Sequence, residues 1–430
     1  MTKPLKIAIA GLGTVGVGVV KILENHKQMI ADRTGRAIEI VAVSASNRGR
    51  DRGIDISGYD WSDNALDFAG RDDVEIVVEL IGGSDGVAAA LAQQSLSNGK
   101  SFVTANKALI AHHGTALAAC AEENDVALRF EASVAGGIPI IKSIGEGLAA
   151  NRINKVYGIL NGTTNYMLSQ MEATGKDYGE ILEETKLLGY LEADPALDLD
   201  GIDAAHKLAI LSSVAFGVRT SFDNVYREGI RRIKLVDIEY ARELGYRIKL
   251  LGISSFSDAG LEQRVHPCLV PKSAPIAIVD NGFNAVVVDG DPLERTFYEG
   301  RGAGEGPTAS AVVADIIDIA RGHRGPAFFV PVAAMTDAKP ISISARFGPY
   351  YIRLHVEEQP GVIADITAAL RDEDVSLHVM LQKGSEQDGT VYVVMVTHET
   401  QELRVMNALD RIDALSSVID KPLAIRIENL

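Results

Sequence analysis

Asp203-Ala204-Ala205-His206-Lys207 is the segment of this chain best suited to chemistry. It follows Gly189-Tyr190-Leu191-Glu192-Ala193-Asp194-Pro195 and the acidic run Asp198-Leu199-Asp200-Gly201-Ile202. The spacing predicts a helix from Ile202 to Val218, on which Asp203 and Lys207 lie one turn apart on one face. Ile210, Leu211 and Val214 continue that face, so the amine is expected among apolar neighbours rather than in water. Such a setting suits an ammonium that transfers protons. Taken by spacing alone, an Asp–Lys pair is more often an exposed ion pair worth about 0.3–0.5 kcal/mol. His206 lies about a hundred degrees round the helix from Lys207 and is expected to be structural.

The elements that must hold this segment in place begin at the N-terminus. Lys6-Ile7-Ala8-Ile9-Ala10 reads as a buried strand, followed by Gly11-Leu12-Gly13-Thr14-Val15-Gly16 and the helical Val19–Leu23 run. Strand, Gly-x-Gly-x-x-Gly and helix in that order predict a dinucleotide site. Gly11 permits the tight turn, Gly13 lets backbone approach the pyrophosphate, and Gly16 allows close helix–strand packing. The amides that open the helix would then meet the phosphates. Further apolar strands are expected at Ile38–Val43, Val74–Leu80, Ser101–Thr104 and Val126–Phe130. Their alternation with helices predicts an α/β fold, a Rossmann-type doubly wound parallel sheet.

The second strand ends Ala42-Val43-Ser44-Ala45-Ser46-Asn47-Arg48-Gly49-Arg50, with no carboxylate to hold a ribose hydroxyl. Arg48 and Arg50 favour NADP, with NAD as the alternative; as solvated loop charges they would carry no preference. Lys107, in Thr104-Ala105-Asn106-Lys107, falls where a strand passes into a helix, the edge at which open α/β sheets bind ligands. A cation at a helix N-terminus is misplaced by roughly 0.3–1 kcal/mol, which points to a use against an anionic or developing oxyanion group.

Composition narrows the partners. The 430 residues suffice for two or three domains, and 47% hydrophobic content supports a substantial core. A net charge of −16 disfavours nucleic acid and anionic membranes. Met1-Thr2-Lys3-Pro4 runs directly into the first strand, no apolar stretch reaches the ~20 residues of a membrane helix, and a cytoplasmic protein is expected. Cys120 and Cys268 are too few for a disulfide framework or a zinc site and read as core residues.

Together with Phe130-Glu131-Ala132-Ser133-Val134-Ala135-Gly136-Gly137-Ile138-Pro139, Asn161-Gly162-Thr163-Thr164-Asn165-Tyr166 and Gly300-Arg301-Gly302-Ala303-Gly304-Glu305-Gly306-Pro307-Thr308, these motifs closely resemble homoserine dehydrogenase, over residues 1 to about 330. The resemblance implies NAD(P)-dependent interconversion of aspartate 4-semialdehyde and L-homoserine, in threonine, methionine and isoleucine biosynthesis. It implies that Lys207 donates the proton to the carbonyl oxygen, that Lys107 flanks both substrate and nicotinamide, and that Asp198 orients the lysine. Glu192 and Asp203 would bind the substrate's ammonium, with Gly189, Thr163 and Tyr190 nearby. A lysine can deliver such a proton when its surroundings bring its pKa toward the working pH. Gly11–Gly16, Arg48, Arg50, Thr104, Lys107, Gly302 and Gly304 would face the cofactor. Glu131, Val134, Gly136 and Ile138 correspond to a loop that binds a monovalent cation such as Na+, mostly through carbonyls.

The resemblance divides the chain into a dinucleotide domain (1–131, completed by about 303–325), an α+β substrate-binding and dimerisation domain (132–302) and a linker (326–349). Runs at Lys155–Leu160 and Ile276–Asp280 are expected as strands of the second domain, and Ala309–Ala320 as a helix returning to the first. Residues 350–430 show β-α-β-β-α-β order with Pro360-Gly361 opening the first helix, which resembles the ferredoxin-like ACT domain. That module implies an amino-acid effector such as threonine, and the family implies a homodimer or homotetramer. Two other readings stand beside this one: a related amino-acid dehydrogenase that oxidises an amine, and a non-catalytic sensor of dinucleotide and amino acid.

Overall fold

The computed structural model describes residues 3–191, 194–383 and 389–430. Leu5–Ala10 is a strand whose alternate apolar side chains are buried on both faces, as a central parallel strand requires. It pairs with Ile38–Ser44 on one side and Ile76–Glu79 on the other, both parallel. Asp60–Ser62, Ser101–Thr104 and Leu128–Arg129 complete a six-stranded parallel sheet. The Thr14–Asn25 and Glu305–Ala320 helices pack together on one face, Gly18 lying against Glu305 and Ala309. The returning helix starts at Glu305, earlier than its apolar run suggests, because Gly304 (φ 117°) turns the chain into it.

A second, ten-stranded sheet contains strands beginning at Glu294, Phe283, Arg152, Tyr246 and Gly260, then Val418, Tyr350, Thr390 and Leu377 in spatial order. The short Tyr226–Arg227 strand pairs off this path with Gly260–Pro271. Helices Gly162–Thr174 and Ile202–Phe216 pack on this sheet, burying Met167, Leu168, Leu208 and Leu211. Ile276–Asp280, expected as a strand, instead forms a single 3-10 turn over Pro275–Ile278, since Pro275 fixes φ and removes a ladder donor.

Residues 350–430 realise the expected β-α-β-β-α-β order, with helices Val362–Asp372 and Glu402–Asp413 over the Tyr350–Glu357, Leu377–Gln382, Thr390–Thr397 and Val418–Ile427 strands. Their sheet is continuous with the preceding one: Cys268 pairs with Arg426 and Leu269 with Ile427, in parallel. The 326–349 stretch holds only short turns and the Phe347–Gly348 strand. It is nevertheless anchored, with Phe328 buried against Phe130 at 5.1 Å between rings and Val332 N donating to Glu122 at 3.1 Å.

Buried charges reinforce this packing, Arg426 between the C-terminal module and the second sheet and Lys249 within the second sheet's domain. Arg426 donates to Glu402 on both carboxylate oxygens, to Glu228 at 2.7 Å and to the Tyr226 hydroxyl at 3.0 Å. Both Arg426 and Glu402 side chains are 3% exposed, so removing one strands the other in a low-dielectric interior. Arg426→Ala is expected to destabilise the protein by roughly 3–5 kcal/mol, measured as a lower urea midpoint with helix content monitored. Lys249 is also buried, and donates to Asn165 Oδ1 (3.1 Å), Val279 O (2.5 Å) and Asp280 (3.1 Å). Burial, then the Arg247 charge, lowers its pKa to about 8, against the opposing pull of Asp280. An unfolded lysine keeps its proton to about 10.4, so between these values the unfolded chain binds more protons. Wild type should therefore gain stability relative to Lys249→Met as pH rises from about 8 toward 10, and paired urea melts across that range measure it.

Candidate active site

The glycine-rich turn has the shape a dinucleotide needs. Gly11 has φ 105°, and a Cβ there would lie 2.5 Å from Leu80 O; one on Gly16 would lie 2.0 Å from Gly11 O. Gly13 faces open space, with nothing within 4 Å of its Cβ position. The following helix has no side-chain cap and no acidic residue in its first turn, leaving its amides available to an anion. Leu12 is buried in the core, Thr14 is exposed and Val15 lines the cleft. Arg48 and Arg50 are exposed on the loop after the second strand. Arg52 was not singled out in the sequence. It donates to Leu12 O at 3.2 Å and Arg50 O at 2.8 Å, and lies 5.7 Å from the centre of the Trp61 ring, beside Arg48 at 5.8 Å. The alternation Arg48-x-Arg50-x-Arg52 was the signal available for it.

At the carboxyl edge of the same sheet, Thr104 is fully buried, donating to Glu79 at 2.6 Å and accepting from Asn106 N at 2.9 Å. Its hydroxyl is thus engaged in building the edge. Asn106 caps the Lys107–Glu123 helix by accepting from Leu109 N at 3.1 Å, and its amide donates to Gly83 O. This latch sets Lys107 at the first helical position.

Lys107 meets the Ile202–Phe216 helix across a cleft of about 570 Å³. Asp203 lies between two ammonium groups: Oδ2 accepts from Lys207 at 2.7 Å, and Oδ1 is 2.9 Å from Lys107 Nζ in an ion pair without hydrogen-bond alignment. Lys207 also donates to Leu160 O at 2.8 Å and is 9% exposed, as the apolar face of its helix requires. Burial acts to raise the pKa of Asp203, but the charges of Lys207 and Lys107 with the hydrogen bonds of Lys207 and Asn161 outweigh it. The carboxyl is held well below its ordinary range.

Asn161 organises the carboxylates. Its Oδ1 caps the Gly162–Thr174 helix by accepting from Thr164 N at 2.8 Å, which directs Nδ2 to Asp198 (2.7 Å) and Asp203 (2.9 Å). Asp198 is carried by the short Pro195–Leu199 helix, opened by Asp194 and Pro195. Gly201 (φ 77°) turns that helix into the next, bringing Asp198 and Asp203 together. Thr163 donates to Tyr190 O at 2.9 Å, while Tyr166 and Tyr190 meet edge to face at 5.0 Å; Gly189 lies on the same wall. Glu192 falls outside the described residues. His206 stacks on Phe222 at 4.2 Å, and burial, then His112, lowers its pKa to about 4. It is a neutral packing residue.

Gly302 and Gly304 line the opposite wall. Gly302 O lies where a Cβ on Gly136 would sit at 2.5 Å, and Gly137 N donates to Arg301 O at 2.9 Å, so the 131–138 loop backs the glycine loop. Glu131 accepts from Ile141 N and Lys142 N, each at 2.9 Å. Its pKa is raised to about 8 by burial and then by Asp315. Val134 and Ile138 have buried side chains and can offer only carbonyls. Besides Arg52, the sequence reading missed Asn161, Tyr166, Asn284, Ser133 and Arg301, all of which line the cleft. Asn161, Tyr166, Ser133 and Arg301 lay inside quoted motifs, whereas Asn284 carried no signal.

Among the described residues no helix is long and apolar enough to cross a membrane. The homoserine dehydrogenase family model matches residues 139–317, the homoserine dehydrogenase NAD-binding model residues 11–131, and the ACT domain model residues 350–414. The homoserine dehydrogenase of Pseudomonas aeruginosa is 44% identical over all of both chains, and that of Bacillus subtilis 36% identical over 99% of each. The crystal structure of a homoserine dehydrogenase from Thiobacillus denitrificans superposes with a TM-score of 0.92 at 44% identity, covering 99% of this chain and 98% of that one. A hyperthermophilic archaeal homoserine dehydrogenase in complex with NADPH gives 0.63 at 27% identity, covering 74% of this chain and 97% of its own. With the dinucleotide turn and the two-lysine cleft in place, these likenesses show that the chain belongs to the homoserine dehydrogenase family, carries a C-terminal ACT domain and is a nicotinamide-dependent oxidoreductase.

Proposed function

We propose that the cleft between Lys107 and the Ile202–Phe216 helix is where aspartate 4-semialdehyde and L-homoserine are interconverted, with Lys207 as the proton donor. One observation carries this reading: two lysines share a single buried carboxylate at the mouth of a dinucleotide fold. The glycine turn, the uncapped helix start and the open space at Gly13 fit NADP, whose nicotinamide supplies or accepts the hydride when bound. Arg48, Arg50 and Arg52, with no carboxylate at the end of the second strand, support a preference for NADP over NAD.

As the aldehyde carbon gains hydride, negative charge develops on its oxygen and calls for a proton. Lys207 holds three protons; two are directed to Leu160 O and Asp203, leaving one for the substrate oxygen. Lys107 places a second positive charge on the same side. Asp203 holds both amines aimed into the cleft. With Asp198 it gives the cleft the acidic character that a free ammonium needs, while Gly189, Thr163 and Tyr190 shape the wall.

A monovalent cation such as Na+ fits the loop behind the cleft. Burial raises the pKa of both Glu131 and Asp315, a penalty on their charged forms that a cation would relieve, and the carbonyls of Glu131, Val134, Gly136 and Ile138 are hard oxygen donors. The ACT module supports an amino-acid effector such as threonine. Exposed Phe297 and Met380, on the outer strands of the ten-stranded sheet, support association of copies as a homodimer or homotetramer.

The decisive measurement is homoserine-dependent reduction of NADP by wild type and Lys207→Ala, with NADPH binding followed separately. A loss of roughly 10²–10⁴-fold or more in kcat with cofactor binding retained is expected. Activity within a few-fold of wild type would return Lys207 to a structural ion pair. For the cation, replacing choline chloride by NaCl at equal ionic strength should raise the thermal midpoint, and Gly136→Val should abolish that rise. An equal midpoint in the two salts counts against the site.

A further inference from the structure

Buried polar atoms in a protein wall are almost always hydrogen-bonded, so one left over beside a cleft needs a reason. Asn284 supplies such an atom. It is 1% exposed, near the start of the Phe283–Asp291 strand, and lines the cleft together with Lys107, Asp203 and Lys207. Its Nδ2 donates to Leu160 O at 3.1 Å, the same carbonyl that accepts from Lys207 at 2.8 Å. A carbonyl only accepts, so turning the amide round would set oxygen against oxygen; the network fixes Oδ1 as the remaining end. That Oδ1 is buried and has no hydrogen-bond partner among the described residues.

The surroundings keep it there. A Cβ on Gly302 would lie 2.1–2.3 Å from Cγ, Nδ2 and Oδ1 of Asn284, and one on Gly162 would lie 3.4 Å from Oδ1. Both glycines line the cleft, so Oδ1 is framed by backbone that carries no side chain to cover it. From the other side, Asn165 Nδ2 donates to the carbonyls of Val279 (3.1 Å), Asn281 (2.9 Å) and Phe283 (3.3 Å), with Lys249 bonded to Asn165 in turn. The segment leading into Asn284 is therefore tied down.

We propose that Asn284 is a ligand-binding residue of this cleft, its Oδ1 accepting a hydrogen bond from an N–H or O–H of the bound reactants. An amide oxygen cannot pair with a carboxylate or phosphate oxygen, so the donor is an N–H or O–H of one of the two reactants. On the cofactor these are the nicotinamide carboxamide and the neighbouring ribose hydroxyls; on the amino alcohol they are the amine and hydroxyl. The inference rests on the cleft being the site proposed above and names a contact that reading does not include. The same side chain fixes Leu160 O, and so also positions the carbonyl that aims Lys207.

Asn284→Leu keeps the branched shape and removes both polar ends; Asn284→Ala is the second variant should leucine disturb folding. NADPH dissociation constants from cofactor fluorescence, with KM for homoserine and kcat, are compared with wild type at matched thermal midpoints. A tenfold or greater weakening is expected for one reactant, with the other within twofold. Loss on NADPH assigns the donor to the nicotinamide end of the cofactor, and loss on homoserine assigns it to the amine or hydroxyl. Affinities within twofold for both reactants in both variants would overturn the proposal, as would a fall in kcat alone. Lys207→Ala run alongside separates the two levels. If it stays fully active, the reading of the cleft fails; if it is inactive while the Asn284 variants bind normally, only the present inference fails.

Discussion

Burying a carboxylate is expensive unless opposite charge and hydrogen bonds meet it, and Asp203 is met by both. Its two lysines come from different halves of the molecule: Lys107 opens a helix of the nucleotide-binding sheet, and Lys207 lies on the helix under the second sheet. Neither amine would face the other without the anion between them, since two ammonium groups at this separation repel. At the cleft itself the two halves thus meet through one carboxylate. Asn161 adds a second constraint by holding Asp198 and Asp203 through the same amide nitrogen while its oxygen caps a helix.

Glycine contacts determine how closely the remaining walls approach. Gly16 against Gly11 O, and Gly136 against Gly302 O, are places where a methyl group would force backbone apart. The first pair shapes the phosphate turn; the second brings the 131–138 loop against the glycine loop that faces the cleft. Charge then secures what sterics permits. Lys142 reaches Asp318 and Asp315 on the returning Glu305–Ala320 helix, while Glu131 N donates to Asp315 at 2.8 Å. The cofactor side and the substrate side are joined by these contacts rather than by a hinge.

Local chemistry explains which parts could be anticipated. The first parallel strand, its glycine turn and the helix carrying Lys207 were legible because period and composition declare them within a few residues. The β-α-β-β-α-β order of the C-terminal module was legible for the same reason. Asn284 was not, because an asparagine near the start of an apolar strand looks like a strand end; its meaning depends on Leu160, Gly162 and Gly302, more than a hundred or some twenty residues away. Arg52 was hidden similarly, its carbonyl partner at Leu12 lying on another turn. The expected strand at Ile276–Asp280 failed where Pro275 overrode the alternation. Asp203 lay in plain view as a neighbour of Lys207, but its contact with Lys107 is a property of the fold.

The continuous sheet is the feature that composition gave least reason to expect, and it changes how the ACT module should be viewed. Two register pairs, Cys268 with Arg426 and Leu269 with Ile427, attach its last strand to the substrate-domain sheet. Arg426 then grips Glu228, and one residue further Gly229 packs so tightly on Leu199 that a Cβ would lie 1.9 Å from its carbonyl oxygen. Ile230 N donates to that same oxygen at 3.0 Å, and Arg231 pairs with Asp200. Leu199 neighbours Asp198, so a chain of direct contacts runs from the ACT strand to the carboxylates of the cleft. Contacts of this kind supply stiffness; a switch requires an element with two arrangements that ligands at both ends favour differently. With its links a buried arginine on Glu228 and backbone contacts at Gly229 and Ile230, and only the Arg231–Asp200 pair exposed, the path would transmit a rigid displacement of the module and resist a local one.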